Sequence, residues 1–325
     1  MTSASAPSGI LCAGILVADI FVPPLAALPA AGQLLATDDF LLSPGGCAAN
    51  VALSLAKLGV DSRVAGPVGE DTYGDFLVKE LSDHGVDTAH IVRAPGVGTS
   101  KTVVLPVVGE DRRFIHTFGA NAHLTTGDIR DAIDDSTRIL YVGGYLILPG
   151  IDGPALGALF AEARARGIRT VLDVVVPAGS AVPDDALSAV LPHVDLFLPN
   201  DEGAEALTGT PDPREQAGRF LAMGAGAAVV TRGAHGTLWA DAHRFLEAPV
   251  YPIEYFDGSG SGDAFTAGVL AGLSLGWDPE RILRFASAVG GSACTKLGCT
   301  AGVFTRAEAD AFVESHALPI VETRR

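Results

Sequence analysis

From Ile10 onward the chain repeats one unit: a short, nearly continuous apolar run, then a segment with apolar residues at helical spacing, then a glycine. The runs ILCAGIL, RILYVGG, IRTVLDVV, DLFLPN and GAAVVTRG are short and lack the strict alternation of a half-exposed strand, so both of their faces should be covered. Between them lie CAANVALSLAKLG, TYGDFLVKELSDHG and GPALGALFAEARARG, whose apolar residues fall at helical spacing; Gly59 and Gly85 supply stops for the first two. Strands alternating with helices specify an α/β fold with a mostly parallel sheet.

Two regions, about 19–42 and 99–118, break the rhythm. TDDFLLS, SKTVVLPVV and RRFIHTF are β-like stretches with no helix between them. They predict a small antiparallel sheet of their own, discontinuous in sequence and placed to act as a lid. The last third returns to helix, first from about Gly262, then over PERILRFASAVGGSACTKLG, then over RAEADAFVESH. Gly290 and Gly291 are poor residues for a helix interior, which marks a place where another backbone comes close. One large domain over 10–325 follows, with residues 1–9 (MTSASAPSG) as a loose tail. The tail has no basic region, and the apolar run after it is broken by Asp19, Pro23 and Pro24, so neither a signal peptide nor a membrane anchor is expected.

Acidic residues outnumber basic ones 38 to 22, and the resulting charge of -16 repels nucleic acid and anionic membranes alike. An anionic ligand must therefore be held by a local device: backbone N–H groups, a few placed cations, or a metal. The four cysteines, Cys12, Cys47, Cys294 and Cys299, sit among small apolar residues without metal-site spacing. They read as buried free thiols, which suits a reducing cytoplasm.

One stretch is built for anion chemistry. In DGSGSGDAF, Asp257 to Phe265, three glycines and two serines lead into a helix beginning near Gly262. The first turn of a helix leaves N–H groups without partners, and glycines let such groups close around a phosphate. Asp263 then stands inside an anion site, where a carboxylate costs affinity unless it has a task. A helix-capping aspartate is the plain alternative. The task suggested by the setting is general base toward a substrate hydroxyl attacking a γ-phosphate.

Together, DGSGSGDAF and SPGGCAANVALSLAKLG resemble the paired signatures of the ribokinase-like (pfkB) carbohydrate kinases. GPVGEDTYGDFLVKELSDHGVDT, FGANAHLT, FLPNDEGAEALTG and VVTRGAHGTLW fall in the family's order, so the likeness runs from about Ile10 to Val303. The resemblance implies a ribokinase-like three-layer sandwich with a mostly parallel central sheet of eight or nine strands and a small β-sheet lid. It also implies an ATP- and Mg2+-dependent kinase acting on a sugar or nucleoside, with K+ as a further ion and a homodimer joined through the lid. Asp263 matches the catalytic base, and Gly260, Ser261 and Gly262 the anion hole. Asp19, Gly45, Gly46 and Asn50 match substrate contacts. Asn200, Thr231, Arg232, Gly233, Ser287 and Gly298 match the nucleotide side. Asp257 matches a position associated with a monovalent cation, and Glu202, with Glu205 as the alternative, is a candidate for the magnesium region. Asn200, Arg232, Gly233 and Asp173 also follow strand-like runs, at the strand ends where open α/β sheets bind ligands.

The sequence departs from the family in places. Gly203 stands where the family carries a glutamate. Val17, Cys47 and Gly144 replace polar residues, which suggests a roomier, less polar acceptor pocket. No GxxxxGK[ST] and no GxGxxG after the first strand occur, which disfavours a P-loop kinase and a dinucleotide oxidoreductase. A sugar- or nucleotide-binding regulator that has lost turnover is the alternative from another class.

Overall fold

The computed structural model describes residues 9–110, 112–176 and 185–325. The proposed tail, apart from Gly9, lies outside the described residues. Gly9 belongs to the body, since its carbonyl accepts from Arg138 N at 2.8 Å.

The chain starts with β1 (Ile10–Gly14), β2 (Val17–Phe21) and β3 (Leu41–Gly45), then α1 (Cys47–Lys57), β4 (Ser62–Gly69), α2 (Thr72–Asp83) and β5 (Asp87–Ala94). A hairpin of β6 (Lys101–Leu105) and β7 (Arg113–Thr117) leads to α3 (Thr126–Asp131), β8 (Ile139–Gly143), α4 (Gly153–Ala165) and β9 (Arg169–Leu172). Next come α5 (Asp185–Ser188), β10 (Leu196–Phe197), α6 (Asp201–Thr208), α7 (Pro213–Ala222) and β11 (Ala228–Thr231). The chain closes with β12 (Thr237–Ala240), β13 (Arg244–Ala248), α8 (Ser261–Ser274), α9 (Pro279–Ala293), α10 (Arg306–Ser315) and β14 (Val321–Arg324).

A ten-stranded sheet runs β14-β13-β12-β11-β10-β9-β8-β1-β4-β5, parallel from β11 to β5, with β12, β13 and β14 added antiparallel at one edge. The count exceeds the eight or nine strands expected because the C-terminal segment pairs with β13, and its charged sequence VETR carries no apolar run to announce a strand.

Period-two alternation divides the sheet's side chains between two cores. In β1, Ile10 and Cys12 pack with α1, α2, α8 and α9, whereas Leu11 and Ala13 pack with α4 and α7 on the other face. The strands β8, β9 and β11 divide in the same way, which makes three layers and explains why each run reads as continuously apolar. The helix stops act as their positions suggest: Gly59 and Gly85 adopt φ of 69° and 81°.

A second sheet of four strands, β3-β2-β6-β7, stands apart from the first. Its strand β2 also pairs parallel with β6, so it is mixed, not purely antiparallel. Phe21 and Val104 from this sheet pack on Cys299 and Leu297, in the segment after α9. That segment also meets the start of α8: a Cβ on Gly260 would lie 2.2 Å from the Cys299 carbonyl oxygen. The helix α9 runs unbroken through Gly290 and Gly291, and α8 is what approaches there. A Cβ on Gly290 would come within 3.0 Å of both Phe265 Cβ and the Ser261 carbonyl. Close packing of α9 thus fixes the first turn of α8.

Candidate active site

A cleft of about 580 Å³ opens at the carboxyl ends of β9, β10 and β11, facing the amino end of α8. Its walls include Cys47, Asp173, Val174–Val176, Leu198, Asn200, Glu202, Thr231, Gly260, Gly262 and Asp263. A second cavity of about 560 Å³ lies at the amino ends of the same strands, around Arg169, Leu196 and Ala227. The glycine loop does not reach it.

Gly260 precedes α8 with φ of 73°, a left-handed conformation open to glycine at little cost. The turn sets Gly260 and Gly262 in the cleft lining and leaves Asp263 half-buried in its wall. The Ser261 hydroxyl bonds back to the Gly258 carbonyl at 2.9 Å and tightens the loop. Asp263 Oδ2 accepts from Asn50 Nδ2 at 2.8 Å and has no cation partner among the described residues. Burial raises its pKa, and hydrogen bonds from Asn50 and Cys47 oppose the rise.

Two further carboxyl groups feel the charge of Asp263: Asp173 in the cleft wall, and Asp19, which with Gly45, Gly46 and Asn50 is not among the lining residues. Burial, reinforced by the charge of Asp263, raises Asp173 to about 8. Asp19, 7% exposed on β2, is raised to about 7 by burial and sits against Gly45, where a Cβ would come within 1.9 Å of its Oδ2. Gly45 is therefore glycine because Asp19 fills its side-chain space. Gly46, with φ of 89°, turns the chain into α1, whose first turn carries Asn50. Cys47 Sγ lies within 4.8 Å of carboxylate oxygens of Asp173 and Asp263, a spacing that a metal could use. Burial pushes the Cys47 thiol well above its ordinary range, however, so it stays protonated and serves as a hydrogen-bond donor to these acids.

On the opposite wall Asn200 caps α6, its Oδ1 accepting from Gly203 N at 3.0 Å. A Cβ at position 203 would lie 2.7 Å from that oxygen, so a side chain there would require the Asn200 amide to shift. Glu202 is exposed and lines the cleft beside Asn200; Thr231 pairs with Asn200 in an isolated parallel bridge.

The remaining positions fall elsewhere. Arg232 turns to the His235 carbonyl at 2.7 Å, and Gly233 opens the short turn that follows. Neither lines the cleft, nor do Ser287 and Gly298. Asp257 is buried, with Oδ1 bonded to Arg112 and Oδ2 lacking a protein partner. Of the three replaced polar positions only Cys47 lines the cleft; Gly144 is packed against Ile15 and Val17 is buried. Arg112 and the full role of Asp173 escaped the sequence reading; the sole signal for the former is a pair of arginines in the β6–β7 hairpin of a strongly acidic chain.

Known proteins resemble the chain along most of its length. The family described as pfkB family carbohydrate kinase matches residues 8–306. Ribokinase from Staphylococcus aureus is 28% identical over 240 residues, covering 72% of this chain and 76% of its own. Fructokinase with bound ATP from Xylella fastidiosa superposes with a TM-score of 0.81 at 24% identity, covering 95% of this chain and 99% of its own. An E. coli protein assigned as ribokinase II, in complex with ATP and Mg2+, gives a TM-score of 0.80 at 24% identity over 94% of this chain and 99% of its own.

Proposed function

The chain belongs to the pfkB family of carbohydrate kinases, phosphotransferases with an alcohol group as acceptor, and on that premise we propose that it moves the γ-phosphate of ATP to a hydroxyl of a sugar or sugar-like molecule, with Asp263 as general base. The observation that carries this reading is the setting of Asp263. It is a half-buried carboxylate in the cleft wall, held by a neutral amide at 2.8 Å and, among the described residues, not by a cation, in the first turn of a helix whose Gly260 and Gly262 line the same space.

The chemistry divides among the residues as follows. Gly260, Ser261 and Gly262 present backbone N–H groups to the phosphoryl oxygens, a larger electrostatic contribution than the proton transfer itself. Asp263 accepts the acceptor's proton; in a loose transition state that proton moves late, so a carboxylate suffices. Asn50 orients the base, and we assign Asp19, beside Gly45 and Gly46, to hold a neighbouring hydroxyl. Asn200 and Thr231 border the nucleotide side. Bound magnesium would neutralise phosphate charge, and the exposed Glu202 carboxylate would help to hold it. The unpartnered, buried Asp257 Oδ2 suits a monovalent cation such as K+.

The cleft wall carries Cys47 at a position where the resemblance expects a polar residue, which supports an acceptor less hydroxylated than free ribose, a nucleoside included. The paired lid strands carry exposed Leu41, Phe114 and Ile115, which supports a homodimer through the lid. No helix among the described residues is long and apolar enough to cross a membrane, and all four cysteines are free and buried, which suits the cytoplasm. Release of ADP from Mg-ATP, screened over sugars and nucleosides, tests this reading. Ribose as the clear best acceptor would overturn the acceptor class, and no ADP release with any acceptor would leave a binding protein.

A further inference from the structure

The cleft is electrostatically one-sided. Among the described residues its lining includes Glu202, Asp263 and the proton-holding Asp173 but no lysine, arginine or histidine, and a nucleotide triphosphate would add several negative charges. Backbone N–H groups offset only part of that. A cation is bonded into the glycine loop, and it comes from the lid. Arg112, just before β7, donates from Nη1 to Asp257 Oδ1 at 3.0 Å and to Ser259 Oγ at 2.6 Å. Its Nη2 lies 3.7 Å from where a Cβ on Gly258 would stand. One guanidinium therefore spans the three residues that lead into the Gly260 turn.

The geometry points to Arg112 as a further catalytic residue, a lid-borne guanidinium that binds the phosphoryl group in transfer. This rests on the kinase reading above. Ser259 immediately precedes the anion-binding turn, and the Arg112 side chain is 27% exposed, so a phosphate entering the turn meets a partly open cation at its edge. Arginine suits the task because its charge persists at any working pH and its planar fork fits phosphate oxygens at two points. In the step itself, the bond from Pγ to the β–γ bridging oxygen breaks as the acceptor oxygen bonds Pγ. The electron pair leaves on ADP and the acceptor's proton passes to Asp263. The guanidinium faces the charge held on the three equatorial oxygens. A mere latch between lid and loop would have no preference between nucleotides with and without a γ-phosphate.

Calorimetric titration with Mg-AMP-PNP and with Mg-ADP distinguishes the two, using the intact protein and its Arg112→Ala and Arg112→Lys variants. The expected result is a loss of about 10-fold or more in AMP-PNP affinity with ADP affinity changed by less than about 2-fold, the lysine variant recovering only part. The conservative variant guards against a fold lost in the alanine one, with thermal melts as the check. Equal losses for both nucleotides, or no loss for either, in variants that fold would overturn the assignment. Failure of the unaltered protein to bind either nucleotide is a different failure, seen before any variant is made; it would overturn the kinase reading and this inference with it.

Discussion

Asn50 Nδ2 donates to Asp263 Oδ2 across 2.8 Å, joining the first turn of α1 to the first turn of α8 over a sequence separation of 213 residues. The bond favours the ionised carboxylate and so opposes the rise that burial imposes on Asp263. Removing it in Asn50→Ala leaves Asp263 holding its proton to higher pH. The acid limb of the profile of kcat/KM against pH should then move upward, with a loss of about 10- to 100-fold near neutrality. A lower rate with an unmoved acid limb would mean that Asn50 only positions the acceptor.

Asp173 keeps its proton in the folded protein up to about 8, and Asp19 up to about 7, because burial disfavours their charge. In the unfolded chain both release it near pH 4. The folded state therefore binds more protons between these limits, and stability present below about pH 4 is lost as pH rises toward 8. Asp173→Asn removes that loss at one site. Thermal melts of the ligand-free protein should show the variant gaining roughly a few degrees on the parent at pH 8.5 and little or nothing at pH 5. A gain independent of pH would show that Asp173 does not carry the buried proton.

The lid sheet leaves β3 and β7 as its edges, and β7 presents Phe114 at 58% and Ile115 at 64% exposure. An apolar edge of this kind is a liability unless something covers it, and a second copy of the lid is the proposed cover. Light scattering should give about twice the 33.3 kDa chain mass, and Ile115→Glu should give the single-chain mass with unchanged secondary structure. A monomer before any substitution would remove the dimer.

Much of the architecture was legible because it is written locally. Short apolar runs, helical spacing and glycine stops act over a few residues, and they locate β1, β8, β9, β11, α1, α2 and α4. The glycine loop was legible for the same reason. What escaped has no local signature. The strand β14 is charged and mostly exposed. The Arg112–Asp257 pair joins residues 145 positions apart, and the acid pair of Asp173 and Asp263 forms only when β9 ends opposite α8. Arg232, matched by sequence order to the nucleotide side, bonds to the His235 carbonyl of its own turn.

The chemistry turns on one carboxylate, so the most direct measurement compares Asp263→Asn with the unaltered protein. ADP release from Mg-ATP is followed with the best acceptor found, alongside nucleotide affinity. The predicted result is a fall of about 10²- to 10⁴-fold in kcat with nucleotide affinity and thermal stability retained, since asparagine keeps the shape and loses the base. A variant that turns over as fast as its parent would contradict the assignment of Asp263 as the base.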